Sequence, residues 1–139
     1  MLDRIPKILT LLLALAATPT FADDAPPPEA RVLIERQLDA FAHDDAAAAY
    51  ALAAPGIKAL FPDADTFMTM VKTNYAPVYR HRSVEFGSVT REGDTVEQIL
   101  TIIDPDNQVW TALYKLERQP DGSWATTGCL LIKSKQSSL

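Results

Sequence analysis

The 139-residue chain is 47% hydrophobic and 22% charged, a balance that excludes a disordered chain, a collagen-like repeat and a multi-pass membrane protein. Its 13 Lys and Arg against 18 Asp and Glu give a net charge of −5, so it lacks the basic surface that a nucleic-acid partner requires. A single cysteine, Cys129, excludes a disulfide framework and every multi-cysteine zinc site.

Residues 1–22 read as a secretory signal peptide. Arg4 and Lys7 precede an apolar run from Ile8 to Ala17, and Thr20-Phe21-Ala22 supplies a small-residue cleavage site. The run is too short for the ~20 residues a helix needs to cross a bilayer. No twin arginine precedes it and no lipid-accepting cysteine follows the site. The expectation is cleavage after Ala22 and a periplasmic or secreted mature chain with no membrane span. Residues 23–28, which include Pro26-Pro27-Pro28, have no apolar periodicity and read as an extended Pro-rich spacer.

A single α+β domain is expected over residues 29–134. From Glu29 to Ala42, Ile34, Leu38 and Phe41 recur at helical spacing between charged residues, which predicts an amphipathic helix. His43-Asp44-Asp45 interrupts it. Asp44 or Asp45 can cap a second helix from Ala46 to Ala53, which Pro55-Gly56 stops. A short turn, Ile57 to Phe61, precedes a third helix capped by Asp63 or Asp65. That helix carries Phe67, Met70, Val71 and Tyr75 on one face and ends before Pro77.

After Tyr79 the period changes to alternation. Ser83 to Arg91 reads as a strand with a bulge or bend at Gly87. Glu92-Gly93-Asp94 turns into Thr95 to Ile103, whose Ile and Leu at successive positions predict burial on both faces. Asp104-Pro105-Asp106-Asn107 turns into Val109 to Arg118, with Trp110, Ala112, Tyr114 and Leu116 sharing a face. Pro120-Asp121-Gly122 makes the last hairpin, into Trp124 to Lys133, and residues 135–139 read as a frayed end. Helices first and an antiparallel meander second exclude a parallel βαβ fold; the helices pack on one face of the sheet.

Tyr75-Ala76-Pro77-Val78-Tyr79-Arg80, Ala53-Ala54-Pro55-Gly56-Ile57 and the closing Trp110…Tyr114-Lys115-Leu116-Glu117…Asp121-Gly122-Ser123-Trp124…Gly128-Cys129 resemble a bacterial family catalogued as domain of unknown function 4864. The same order of elements also resembles the broader nuclear transport factor 2-like, or cystatin-like, superfamily. That resemblance implies a sheet curled around the helices into a cone with one open end. The narrow family has no assigned activity, so it carries over no catalytic residue. The superfamily includes ketosteroid isomerase-like enzymes, dehydratases, scaffolds and ligand-binding modules, so the site must decide the function.

Tyr50, Tyr75, Tyr79, Tyr114, Trp110 and Trp124 are the candidate pocket-lining set, because rings with one polar atom can line a cone and orient an apolar ligand. The same rings also serve an ordinary core, and alternation favours that role for Trp110 and Tyr114. Glu97 shares its strand face with Ile99, Thr101 and Ile103. It either enters an apolar pocket as a base or sits on a solvated rim, and Asp45 is a second candidate base. Arg80 and Arg82 flank His81 and either bind an anionic group or solvate a strand edge. His43 and His81 have no metal-ligand spacing. Cys129 lies in an apolar run without a nearby base and reads as a small hydrophobe.

No serine-nucleophile elbow, phosphate-binding glycine loop or dinucleotide fingerprint occurs in the sequence. The sequence therefore favours a non-enzymatic binding module, without cofactor or metal, for a small amphiphilic molecule or a protein partner. The alternatives are an acid–base enzyme of isomerase or dehydratase type acting on an apolar substrate, and a homodimeric assembly domain built on the sheet face.

Overall fold

The computed structural model describes residues 25–135. The proposed signal peptide and the last residues of the C-terminal end lie outside this range. The described chain forms α1 (Pro28–Ala42), α2 (Ala46–Ala51), α3 (Pro55–Leu60), α4 (Ala64–Asn74) and α5 (Ala76–Tyr79). These precede β1 (Ser83–Glu92), β2 (Thr95–Ile103), β3 (Val109–Arg118) and β4 (Trp124–Lys133). The strands form one antiparallel sheet in the order β1-β2-β3-β4, the expected meander.

The apolar stripe of α1 lies in the core, with Ile34, Leu38 and Phe41 buried. Pro28 sits in the first helical turn, where a missing N–H costs nothing, so the helix takes one residue from the Pro-rich spacer. Of the two candidate caps, Asp45 accepts from the Ala48 N–H at 3.0 Å. Asp63 does the same for α4, accepting from Thr66 N at 2.7 Å.

Two expectations about proline need correction. Pro55-Gly56 does not simply stop a helix: α2 ends at Ala51 and Pro55 opens α3. Likewise Pro77 follows the end of α4 and stands in the first turn of α5. Proline forbids continuation of the preceding helix, yet its fixed φ suits the start of the next.

The burial of β2 is also one-sided. Val96, Gln98, Leu100 and Ile102 are buried, whereas Ile99 is 37% exposed and Glu97 faces solvent. All the helices cover the same sheet face, so the opposite face of β2 stays uncovered. Cross-strand registry extends that outer face: Ile99 opposes Leu113, which opposes Leu130, and Thr101 and Thr111 lead to Ile132 in the next row.

Two bulges bend the sheet. The expected one lies between Phe86 and Val89, around Gly87. There the buried Gln98 amide donates to the Gly87 carbonyl at 3.0 Å and to Ser88 at 3.3 Å, satisfying groups that the broken ladder releases. The second, in β4 opposite Lys115 and Leu116, leaves Thr127 as the extra residue. Next to it, Thr126 N donates to the Leu52 carbonyl and Ala54 N donates to the Thr126 carbonyl, which fastens the segment between α2 and α3 to the sheet.

Candidate functional site

The inner face of β3 and β4 carries Tyr114, Thr126 and Cys129, with Tyr114 directly opposite Cys129 in the ladder. Above them α1 contributes Gln37 and Phe41, α3 contributes Ile57, and α4 contributes Phe67, Met70 and Val71. These side chains do not fill the space between helices and sheet. They enclose a pocket of about 220 Å³ in which every lining side chain is uncharged.

Aromatic packing holds one wall. Phe67 lies 5.6 Å from the Tyr50 ring, 6.3 Å from Phe61 and 6.4 Å from Phe41, centroid to centroid. The Tyr50 hydroxyl donates to the Phe61 carbonyl and so pins the α3–α4 connection. Deeper in, Gln37 Nε2 donates to the Ala49 carbonyl at 3.1 Å and Thr126 Oγ1 donates to Gln37 Oε1 at 3.0 Å. This buried pair ties α1 to both α2 and β4.

Three further polar groups are arranged differently. Tyr114 is only 2% exposed, and neither its hydroxyl nor that of Tyr75 hydrogen-bonds to another described residue. Since no fully enclosed side-chain polar atom among the described residues lacks a partner, the Tyr114 hydroxyl faces the pocket's open space. Burial pushes its pKa well above the usual phenol value, and the neighbouring Cys129 and Tyr75 add to the shift. Burial, then Cys129, also raises Tyr75. The Cys129 thiol is pushed up to about 12 by burial. At neutral pH the three groups are therefore protonated hydrogen-bond donors, with no thiolate nucleophile among them.

The candidates chosen from sequence separate in space. Tyr75 and Tyr114 line the pocket, and Tyr50 supports its wall from behind. The Tyr79 hydroxyl donates instead to Asp44, which also pairs with Arg80 Nη2 at 2.6 Å. Trp110 donates from Nε1 to Asp104 at 2.9 Å near the β2–β3 turn. Trp124 lies between the Arg91 and Arg118 guanidiniums, at 5.4 and 5.7 Å, in a separate surface groove.

Glu97 stands on the outer sheet face opposite Lys115, and Asp45 is occupied as a helix cap. Neither carboxylate lines the pocket, so the acid–base alternative lacks its base there. Arg80 is committed to Asp44 and to the Phe41 carbonyl, while Arg82 donates to Asn107. The two arginines thus do not converge on one anion.

Sequence reasoning missed Gln37, Phe41, Phe61, Thr126 and Cys129 as pocket residues. Gln37 was legible in principle, since a lone amide within the Ile34–Leu38–Phe41 stripe needs a buried partner.

A family model for a domain of unknown function, DUF4864, matches residues 24–139. The chain belongs to this family. Searches of curated proteins and of solved structures found no match. The DUF4864 match spans every element described above, including the pocket. Among the described residues of this DUF4864 chain, no helix is long and apolar enough to cross a membrane.

Proposed function

We propose that this DUF4864 chain is an exported binding module that takes up a small apolar or amphiphilic molecule in the pocket between α1, α4 and the β3–β4 hairpin. One observation carries the reading: an uncharged, partly open pocket of about 220 Å³ lies between the helices and the inner sheet face. Protein interiors are close-packed, and an apolar cavity of ~150 Å³ already takes up benzene. A ligand on the order of ten non-hydrogen atoms therefore suits this space. Uncharged walls and protonated phenols support binding over acid–base chemistry.

Export is part of the proposal. The Arg4-Lys7 charge pair, the apolar run and the Ala22 site support it. A protein recovered from the periplasm or medium with Asp23 at its N-terminus is the expected result.

The pocket is tested by titrating the purified protein with cumene, a neutral nine-carbon hydrocarbon, and following the Met68 and Met70 methyl resonances together with the melting temperature. Saturable shifts at Met70 and a raised melting temperature are expected. Unmoved resonances with cumene and with its polar isosteres would defeat the reading.

A second reading, a homodimer through the outer sheet face, is favoured by the row Ile99–Leu113–Leu130. Leu130 is 57% exposed there, and Ile132 in the next row is 54% exposed.

A further inference from the structure

The pocket is apolar almost throughout, but its polar groups fall into two classes. Gln37 and Thr126 satisfy each other and the Ala49 carbonyl, so they present no unmet demand to a ligand. Tyr75 and Tyr114 do. Each carries a hydroxyl without a partner among the described residues, and Tyr114 is almost wholly buried. Cys129, opposite Tyr114 in the ladder, adds a weak thiol donor. In the unliganded pocket only water in the open space can meet these hydroxyls, and a ligand carrying an acceptor replaces that water with a direct bond in less polar surroundings.

We infer that the pocket selects a neutral molecule with one hydrogen-bond acceptor, such as a ketone or ester carbonyl, held by the Tyr114 and Tyr75 hydroxyls while its apolar body packs against Phe41, Phe67 and Met70. This inference rests on the pocket reading above and names the chemistry of its ligand. A carboxylate is disfavoured. No Lys, Arg or His lines the space to neutralise it, and moving an unpaired anion from water into apolar surroundings is far costlier than moving a carbonyl. A purely hydrocarbon ligand would fill the volume but leave both phenols unpaired. Raised phenol pKa values agree with this division, because they keep the hydroxyl protons in place through the neutral and mildly alkaline range.

The test compares three compounds of nearly equal size: acetophenone, whose carbonyl accepts; cumene, in which a methyl-bearing carbon replaces that carbonyl; and benzoate, the anion. Affinities are read from Met70 methyl shifts at pH 7 on the wild-type protein, Tyr114→Phe and Tyr75→Phe. The wild type should bind acetophenone at least about tenfold more tightly than cumene, and benzoate most weakly. Tyr114→Phe should abolish the preference for acetophenone while leaving cumene affinity intact, and Tyr75→Phe should reduce it.

Unliganded Tyr114→Phe should melt no lower than wild type, because the lost hydroxyl has no protein partner; a phenol with a purely structural role would lower it. Cumene binding as tightly as acetophenone, or a preference that survives in both variants, overturns the inference while the pocket reading stands. Benzoate binding more tightly than acetophenone overturns it as well. If no compound binds, the pocket reading itself fails and this inference falls with it.

Discussion

Thr126 of β4 donates from Oγ1 to Gln37 Oε1 of α1 at 3.0 Å, a buried hydrogen bond that spans 89 positions of sequence. Because the Gln37 amide also donates to the Ala49 carbonyl, one side chain joins two helices to the sheet at the inner end of the pocket. Gln37→Leu would strand the Thr126 hydroxyl, at a cost of about 1–3 kcal/mol for a buried group left unsatisfied, and would remove one of two donors to the Ala49 carbonyl, which keeps the Leu52 N–H at 3.3 Å. Urea denaturation of Gln37→Leu, Thr126→Val and the double variant should give a non-additive cycle. The double variant should be less destabilised than the sum of the singles, since the second change removes a group that the first orphaned.

The Cys129 thiol provides an alkaline test. Its folded-state value of about 12 lies above its ordinary 9.0. Between these values the unfolded chain loses a proton that the folded protein retains, so stability falls with rising pH, by about 1.4 kcal/mol per unit from this group alone. The contribution is fully present below pH 9 and is lost as pH rises toward 12. Tyr114, raised from 10.0, adds a slope of the same sign at the upper end. Cys129→Ala should flatten the dependence between pH 9 and 10 in denaturant melts. Wild-type Cys129 should react slowly with iodoacetamide at neutral pH, because its raised value leaves almost no thiolate.

An acidic counterpart lies at the β2–β3 turn. Asp104 accepts from Trp110 Nε1, and this bond, followed by the backbone N–H groups of Gln108 and Asp106, holds its carboxyl below the usual 3.8. Here the folded value is depressed, so the stabilising contribution is present above 3.8 and disappears as pH falls through the lower folded value. In an NMR titration the Trp110 indole N–H should shift with a midpoint below 3.8. The Trp124 indole, which sits between Arg91 and Arg118, should not follow that titration. An Asp104→Asn variant should remove the Trp110 transition.

Local periodicity carried most of the architecture. The Ile34–Leu38–Phe41 stripe marked α1, and the limits of β2, β3 and β4 follow from alternation between turn residues. The misreadings arose where a residue plays two local roles or where long-range packing decides. Pro55 and Pro77 break one helix and start another, and sequence spacing registers only the break. For β2, Ile and Leu at consecutive positions suggested two buried faces, but helices cover only one, which leaves Glu97 and Ile99 outside. The site was half legible. Tyr75 and Tyr114 were among the chosen aromatics. Their convergence with Cys129 depends on the β3–β4 register, and Thr126 reaches Gln37 beside a bulge that no turn residue announces.

The uncovered outer face yields the last expectation. Ile99, Leu113 and Leu130 stand in one cross-strand row, with Ile132 beside them, and exposed apolar rows of this kind mark association surfaces. If two copies pair through this face, Leu130→Asp places a carboxylate in each partner's apolar row, and sedimentation should shift from dimer toward monomer by a factor of ten or more in the dissociation constant. Because Leu130 faces away from the pocket, the same variant should retain ligand-induced shifts at Met70 and melt within about 0.5 kcal/mol of the wild-type monomer. A wild-type protein that sediments as a monomer at every concentration would remove the assembly reading and leave the pocket proposal untouched.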